Sequence, residues 1–377
     1  MKRVRVVIVP LISFLLLLLS FLVVARERVD TKNEVPLYTI SSNEQQTEDH
    51  DYSDVFFDRY AYSTLNNEEK DIYSRIYSAL VNFIESDPIS VKEESTLKYV
   101  YDCVMIDSPE LFYVNGLNVA KEYRDEEVRY VISGNYSTSR SSALSLQKKV
   151  DKKVNRILRG IPIDASDYEC VKYVYDYINN ITDYVPDAAD NQNIISVLLN
   201  GESVCQGYAK TFQYIMYALD IPCTVVTGKA GSDNISHSWN MVKLSGDYYH
   251  VDVTWGDMQD YNLISYDYLL IDDKTISSTH TIVSAIQYPE CNSMKHNFYV
   301  MDGTFITSLN TACLDDVLPR INTSEEAVMT LKFSDEHVYN FYVDYLVTDA
   351  NLFRYMAGPI DYMLNSDKRT LTIERRF

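Results

Sequence analysis

Along residues 65–84, LNNEEKDIYSRIYSALVNFI, apolar side chains at Ile72, Ile76, Leu80 and Ile84 return every fourth position, and Asn66 or Asn67 can cap the start. That period predicts an amphipathic helix. STLKYVYDCVMID, residues 95–107, repeats the pattern and meets the breaker Ser108-Pro109. The period then shortens. YVNGLNVA (113–120) and VRYVISGNYS (128–137) read as strands, and SALSLQKKVDKKVNRILRG (142–160) reads as a charged helix ending at Gly160. Residues 55–160 are therefore expected to form an α+β accessory region.

A second block runs over residues 161–310. A helix from Asp167, DYECVKYVYDYINNITDY, leads to a turn at Pro186 and the loop DAADNQN. In the next helix Tyr208, Phe212, Ile215, Met216 and Leu219 share one face, and Asp220-Ile221-Pro222 stops it. Cys205, in GESVCQGYAK, falls in its first turn. CTVVTG, HSWNMVKL and YYHVDVTW follow as short β runs, the last two joined into a hairpin by Ser245-Gly246-Asp247. In residues 311–377, AVMTLKF, DEHVYNFYVDYLV and TLTIERR predict the strand, helix and strand of a small C-terminal α/β unit. No internal repeat is visible.

The N-terminus changes the cellular picture. Lys2, Arg3 and Arg5 precede an uncharged apolar run from Val6 to Ala25, followed at once by Arg26, Glu27 and Arg28. The run is about 20 residues, long enough to cross a bilayer, while Val23-Val24-Ala25 offers small residues for cleavage. A signal anchor and a removed signal peptide both remain open for residues 1–25. Either way the basic flank puts the rest of the chain outside the cytoplasm, membrane-anchored or secreted. Residues 26–54 are polar and lack periodicity, as a linker does.

With 377 residues, 46% of them hydrophobic, the chain can bury a substantial core. A net charge of -20 argues against nucleic acid as a partner, because phosphate binding needs clustered Lys and Arg. The six cysteines form no CxxC pair, which removes the zinc ribbon and the thioredoxin motif. An exported chain could oxidise some of them. Cys103, Cys170 and Cys223 sit among apolar neighbours, as core cysteines do. Cys205 has a different address: a helix start, where backbone N–H groups favour a thiolate.

Two further side chains can join it. His237 opens one strand of the hairpin and Asp252 lies in the other; neighbouring strands are about 4.8 Å apart, so the two can meet on one face. An imidazolium at His237 would favour the thiolate and return its proton to a leaving amine, and Asp252 would orient the ring and stabilise its charge. His250, on the face of Asp252, is a rival base that reads better as a supporting or structural residue. Trp239 and Trp255 fall close to the proposed His and Asp, where packing and shaping of a cleft are both open. Asp257, Asp260, Asp267, Asp272 and Asp273 lack the EF-hand spacing and read as a solvated acidic loop. His280 and His296 have no metal-ligand spacing, and no GxGxxG, P-loop or HExxH motif occurs, so no cofactor or metal is expected.

The segments GESVCQGYAKTF, HSWNMVKL and YYHVDVTWGD together resemble the transglutaminase-like (transglutaminase core) superfamily. The resemblance covers about residues 165 to 300, and DSPELFYVNG, YPEC and HNFYVMDGTF are similar to bacterial exported members. It implies a papain-like α+β fold, with the cysteine at the start of a helix packed on an antiparallel sheet that carries the histidine and aspartate. It also implies Cys205 as nucleophile, His237 as general acid/base and Asp252 as orienting residue. The expected function is then a thiol enzyme acting on amide bonds of a protein or peptide substrate, cell-wall peptide among the candidates, through a thioester. A surface or cell-wall binding module that keeps the fold without chemistry is the alternative. No side-chain oxyanion donor is legible; the backbone N–H of Cys205 is the one candidate.

Overall fold

The computed structural model describes residues 56, 59–124, 127–258, 263–323 and 327–376. The expected export segment and linker, residues 1–54, lie outside them. Among the described residues no helix is long and apolar enough to cross a membrane. The chain divides into two compact units between Ser293 and Met294. The sequence pattern put a boundary near residue 310; the strand Phe305–Ile306 pairs with Lys332 and Phe333, which ties it to the second unit.

In the first unit, helix α1 (Asn67–Asn82) opens with a reciprocal cap between Asn66 and Glu69 and buries Ile72, Ile76 and Leu80. It ends sooner than its apolar stripe. Phe83 turns left-handed at φ 59°, and the last residue of the stripe, Ile84, is 51% exposed. Helix α2 (Glu94–Asp107) packs on α1. Its last residue, Asp107, is buried and accepts hydrogen bonds from the Ala61 and Tyr62 amides. Strands β1 (Val114–Arg124) and β2 (Glu127–Tyr136) form an antiparallel hairpin, and the charged helix α3 (Arg140–Leu158) buries Val150, Val154 and Ile157.

Helix α4 (Asp167–Asn179) is capped reciprocally by Ser166 and Glu169 and packs on α5 (Cys205–Ala218). Helix α5 lies in turn on strands β3 (Cys223–Ala230) and β4 (Ile235–Leu244). Enclosure by α4 and the sheet explains why every residue from Gly207 to Ala218 is buried. The sheet is completed by β5 (Asp247–Val251), β6 (Leu269–Ile271) and β7 (His280–Ile282), in the antiparallel order β6-β5-β4-β3-β7. Ser245 and Gly246, both at positive φ, make the tight two-residue turn expected between β4 and β5. Strand β5 stops at Val251, earlier than the run YYHVDVTW suggests, and Thr254–Gly256 form a 3-10 turn. Asp252 therefore lies one residue beyond the strand.

Gly207 lets the first turn of α5 sit close against the loop before it. A Cβ there would lie 2.1 Å from Ser203 Oγ and 2.8 Å from Asn191 O and Ser196 Oγ. Two of these atoms already share a hydrogen bond, Ser196 Oγ to Ser203 Oγ at 2.6 Å, and cannot yield cheaply. Gly207→Ala should cost about 1–3 kcal/mol of stability. Urea melts of the variant check this; an unchanged midpoint would show that the loop gives way.

The second unit pairs β8 (Phe305–Ile306), β9 (Val328–Phe333), β10 (Ile360–Asn365) and β11 (Thr370–Arg375) in the order β8-β9-β11-β10. Helix α6 (Glu336–Val343) supplies Val338, Tyr339 and Tyr342 to a core with Leu331, Phe333, Leu371 and Ile373. Strands β9 and β11 and helix α6 match the sequence pattern. Strand β10 is an addition: it is an edge strand with no fully buried residue, so its apolar alternation is faint.

Candidate active site

Cys205 is the first residue of α5 and is partly exposed. The five other cysteines are also free thiols. Burial pushes the Cys103 thiol up to about 12 and holds those of Cys223 and Cys291 high as well, in keeping with core roles. Cys205 lines a cleft of about 530 Å³ together with Tyr184, Gln206, His237 and Ser238.

His237 is on β4, opposite Gly228 of β3, and its side chain is buried. Its Nε2 lies 2.8 Å from Asp252 Oδ2, and the ring lines the same cleft as the Cys205 sulfur. With Nε2 committed to the carboxylate, Nδ1 is the nitrogen left for the sulfur. Burial by itself would lower the proton affinity of this ring. The Asp252 charge and hydrogen bond, with the Cys205 sulfur beside them, outweigh burial and push His237 up to about 10.

Asp252 is fully buried and saturated. Oδ1 accepts from the amides of Thr254 (2.9 Å) and Trp255 (3.2 Å), so the 3-10 turn that ends the strand is also what grips the carboxylate. Oδ2 accepts from His237 and from His280 Nε2 at 3.0 Å. Burial alone would favour the protonated acid; the two imidazoles reverse this and hold the carboxyl well below the usual carboxylate range. The structure thus brings together all three residues singled out by sequence.

It also adds residues that sequence reasoning passed over. His280 lacks a metal-ligand spacing, but β7 pairs with β3 and delivers it to Asp252 from the far side of the sheet order. No local signal marks it. Gln206 follows the cysteine and accepts a hydrogen bond from Ser238 Oγ at 2.6 Å, while Asn240 Nδ2 donates to Ala209 O at 2.9 Å. Alternate residues of β4 thus tie the first two turns of α5 to the sheet, and β-strand alternation could have suggested it.

The rival base is occupied elsewhere. Trp239 Nε1 donates to His250 Nδ1 at 2.9 Å, which leaves His250 Nε2 to donate to Asp273 Oδ1 at 2.8 Å. Burial lowers its proton affinity, against the pull of Asp273. His250 is a neutral, structural ring. Trp239 is buried, and Trp255 stands with its ring centroid 4.6 Å from that of His280 and 5.9 Å from that of His237, so both indoles pack around the histidines.

Among the described residues two side-chain groups, His237-Asp252-His280 and His250-Asp273-Cys291, have donor atoms within 4.8 Å of one another. Hydrogen bonds already use the histidine and aspartate atoms. In the first group both Nε2 atoms give protons to Oδ2; in the second, Trp239 takes the one lone pair of the His250 ring, so a metal at Nε2 would require an imidazolate. The acidic run is not a solvated loop either. Asp257 is 3% exposed, Asp272 caps a short helix through the Thr275 amide, Asp273 holds His250, and Asp260 lies outside the described residues.

Residues 156–253 match the transglutaminase-like superfamily. The chain carries a transglutaminase-like domain. The α+β core expected from that resemblance is the one described above, a cysteine-headed helix on an antiparallel sheet. The kyphoscoliosis peptidase of Mus musculus is 27% identical over 130 residues, 30% of this chain and 20% of the mouse protein. The chain thus matches about a fifth of that relative's length. Among solved structures, a TGase is 12% identical, covering 60% of this chain and 58% of its own, with a TM-score of 0.28. A candidate cysteine protease from Cytophaga hutchinsonii is 11% identical, covering 47% and 79%, with a TM-score of 0.25.

Proposed function

We propose that this transglutaminase-like domain is a thiol enzyme that acts outside the cytoplasm on amide bonds of proteins or peptides. The observation that carries the reading is the His237 ring, hydrogen-bonded to buried Asp252 and lining one cleft with the partly exposed Cys205. Cys205 and His237 share one proton, and with it on the ring the thiolate attacks the amide carbonyl. The tetrahedral oxyanion meets the Cys205 backbone N–H at the free end of α5. As the C–N bond breaks, the imidazolium passes its proton to the leaving amine, and a thioester remains. His237 then draws a proton from water or an amine, which attacks the thioester and restores the thiol. Water is the favoured acceptor, since it is present at high concentration and no amine-binding feature lines the cleft among the described residues. The N-terminal apolar run supports an anchored or exported chain, and cell-wall peptide is one substrate class such a location would supply.

At about pH 6, iodoacetamide should label Cys205 and spare the buried cysteines, as read by peptide mass spectrometry. Peptide mixtures incubated with the protein should then show new fragments or deamidation, while ammonia loss with a mass-doubled product would mark crosslinking. A Cys205 as inert as Cys223 would leave a binding module on the same fold.

A further inference from the structure

His237 is not the one imidazole on Asp252. His280 Nε2 reaches the same oxygen, 3.0 Å from Oδ2, with the two rings 5.3 Å apart between centroids. Because an ionised carboxylate has no proton to give, both Nε2 atoms are donors. His280 Nδ1 must then accept, and it does so from Thr279 Oγ1 at 2.8 Å, whose oxygen in turn takes a proton from the Tyr268 hydroxyl at 3.4 Å. A directed chain of donors therefore ends on the carboxylate oxygen that serves His237.

We infer that His280 is a positioning residue of the proposed reaction: by sharing Asp252 Oδ2 with His237 it fixes the carboxylate and limits the charge that the aspartate offers the reacting imidazole. The inference rests on the thiol-enzyme reading. An oxygen that accepts two N–H groups binds each less strongly than it would bind one alone, so His237 gives up its proton more readily than beside an unshared aspartate. That matters for a ring that must both take and return a proton. The other groups in reach do not duplicate the effect. Tyr175 and Tyr184 face Asp252, and burial keeps both phenols neutral well into the alkaline range. His250 faces His280 and is held neutral by burial. Lys229 lines the cleft but is exposed, where its field is screened.

The test uses the full chain and reads Cys205 alkylation by iodoacetamide as a function of pH, site by site. A coupled thiol and imidazole give a lower step, thiolate formation, and an upper step, loss of the imidazolium proton. His280→Met and His280→Gln fill similar space, and glutamine alone can donate an N–H to Oδ2. The upper step should rise by roughly half a pH unit or more in His280→Met and return toward wild type in His280→Gln. Thr279→Val keeps the ring and its packing but removes the donor to Nδ1, and should move the step the same way by less, which preserves the test if His280→Met does not fold. An upper step that stays put, falls, or rises equally in the Met and Gln variants would overturn the inference. Failure of the thiol-enzyme reading looks different: wild-type Cys205 would show no lower step below that of an ordinary thiol.

Discussion

Asp252→Asn should lower the rate at which Cys205 is acylated by an activated ester by roughly 10³- to 10⁴-fold, the scale seen when an orienting aspartate is neutralised in a triad. The loss follows from where the four donors to Asp252 stand. Two are backbone amides, Thr254 and Trp255, which can only donate, so the asparagine oxygen must face them. Its NH2 then turns to the two imidazoles, and each must offer a lone pair at Nε2 and carry its proton on Nδ1. For His280 this is harmless, because the Thr279 hydroxyl can rotate and accept. For His237 it is not: the nitrogen facing the sulfur now holds a proton and cannot take the one from Cys205. Cys205→Ala, which removes the thiol, sets the floor of the assay. Single-turnover acylation in the two variants measures the effect, and a drop of less than about tenfold in Asp252→Asn would show that Asp252 does not control the His237 tautomer.

Asp257→Asn should stabilise the protein near pH 8 and leave it unchanged near pH 4. Asp257 is buried, its Oδ2 has no hydrogen-bond partner, and burial together with the Asp183 charge pushes its carboxyl up to about 10. The sign follows from proton counting. Above about pH 4 the unfolded chain releases this proton while the folded chain keeps it, so stability falls as pH rises from the unfolded value toward about 10. At pH 7 the cost approaches about 4 kcal/mol, whatever the folded value above that pH. Allowing for screening by nearby solvent, the gain from the neutral isostere is roughly 2 kcal/mol or more. Thermal melts of the wild type and variant at the two pH values give the comparison. A gain of equal size at both would mean that repacking, not ionisation, is responsible.

The candidate site was legible because its residues sit in short stretches with strong local signals. A glycine turn before an amphipathic run placed Cys205 at a helix start, and a two-residue turn between alternating strands placed His237 near Asp252. What sequence did not carry was pairing over long separations. His280 meets Asp252 because β7 returns to the sheet edge beside β3, a registration no periodicity encodes. Asp257 read as a surface acid because acidic residues usually are, and its burial depends on how the segment after Asp252 folds back. Ile84 kept the apolar period of α1 although Phe83 had already turned the chain out of the helix. Edge strand β10 stayed hidden for the opposite reason: half-exposed on both faces, it has little pattern to show.

Four donors meeting on Asp252 also bear on how such a site can drift over generations. Losing the sulfur leaves every hydrogen bond below it intact, whereas losing any one donor strands part of a buried anion. A lineage is thus free to change Cys205 early and is held at His237, His280 and the aspartate until the charge itself goes. Descendants of this protein would keep the understructure of the site long after the thiol had gone.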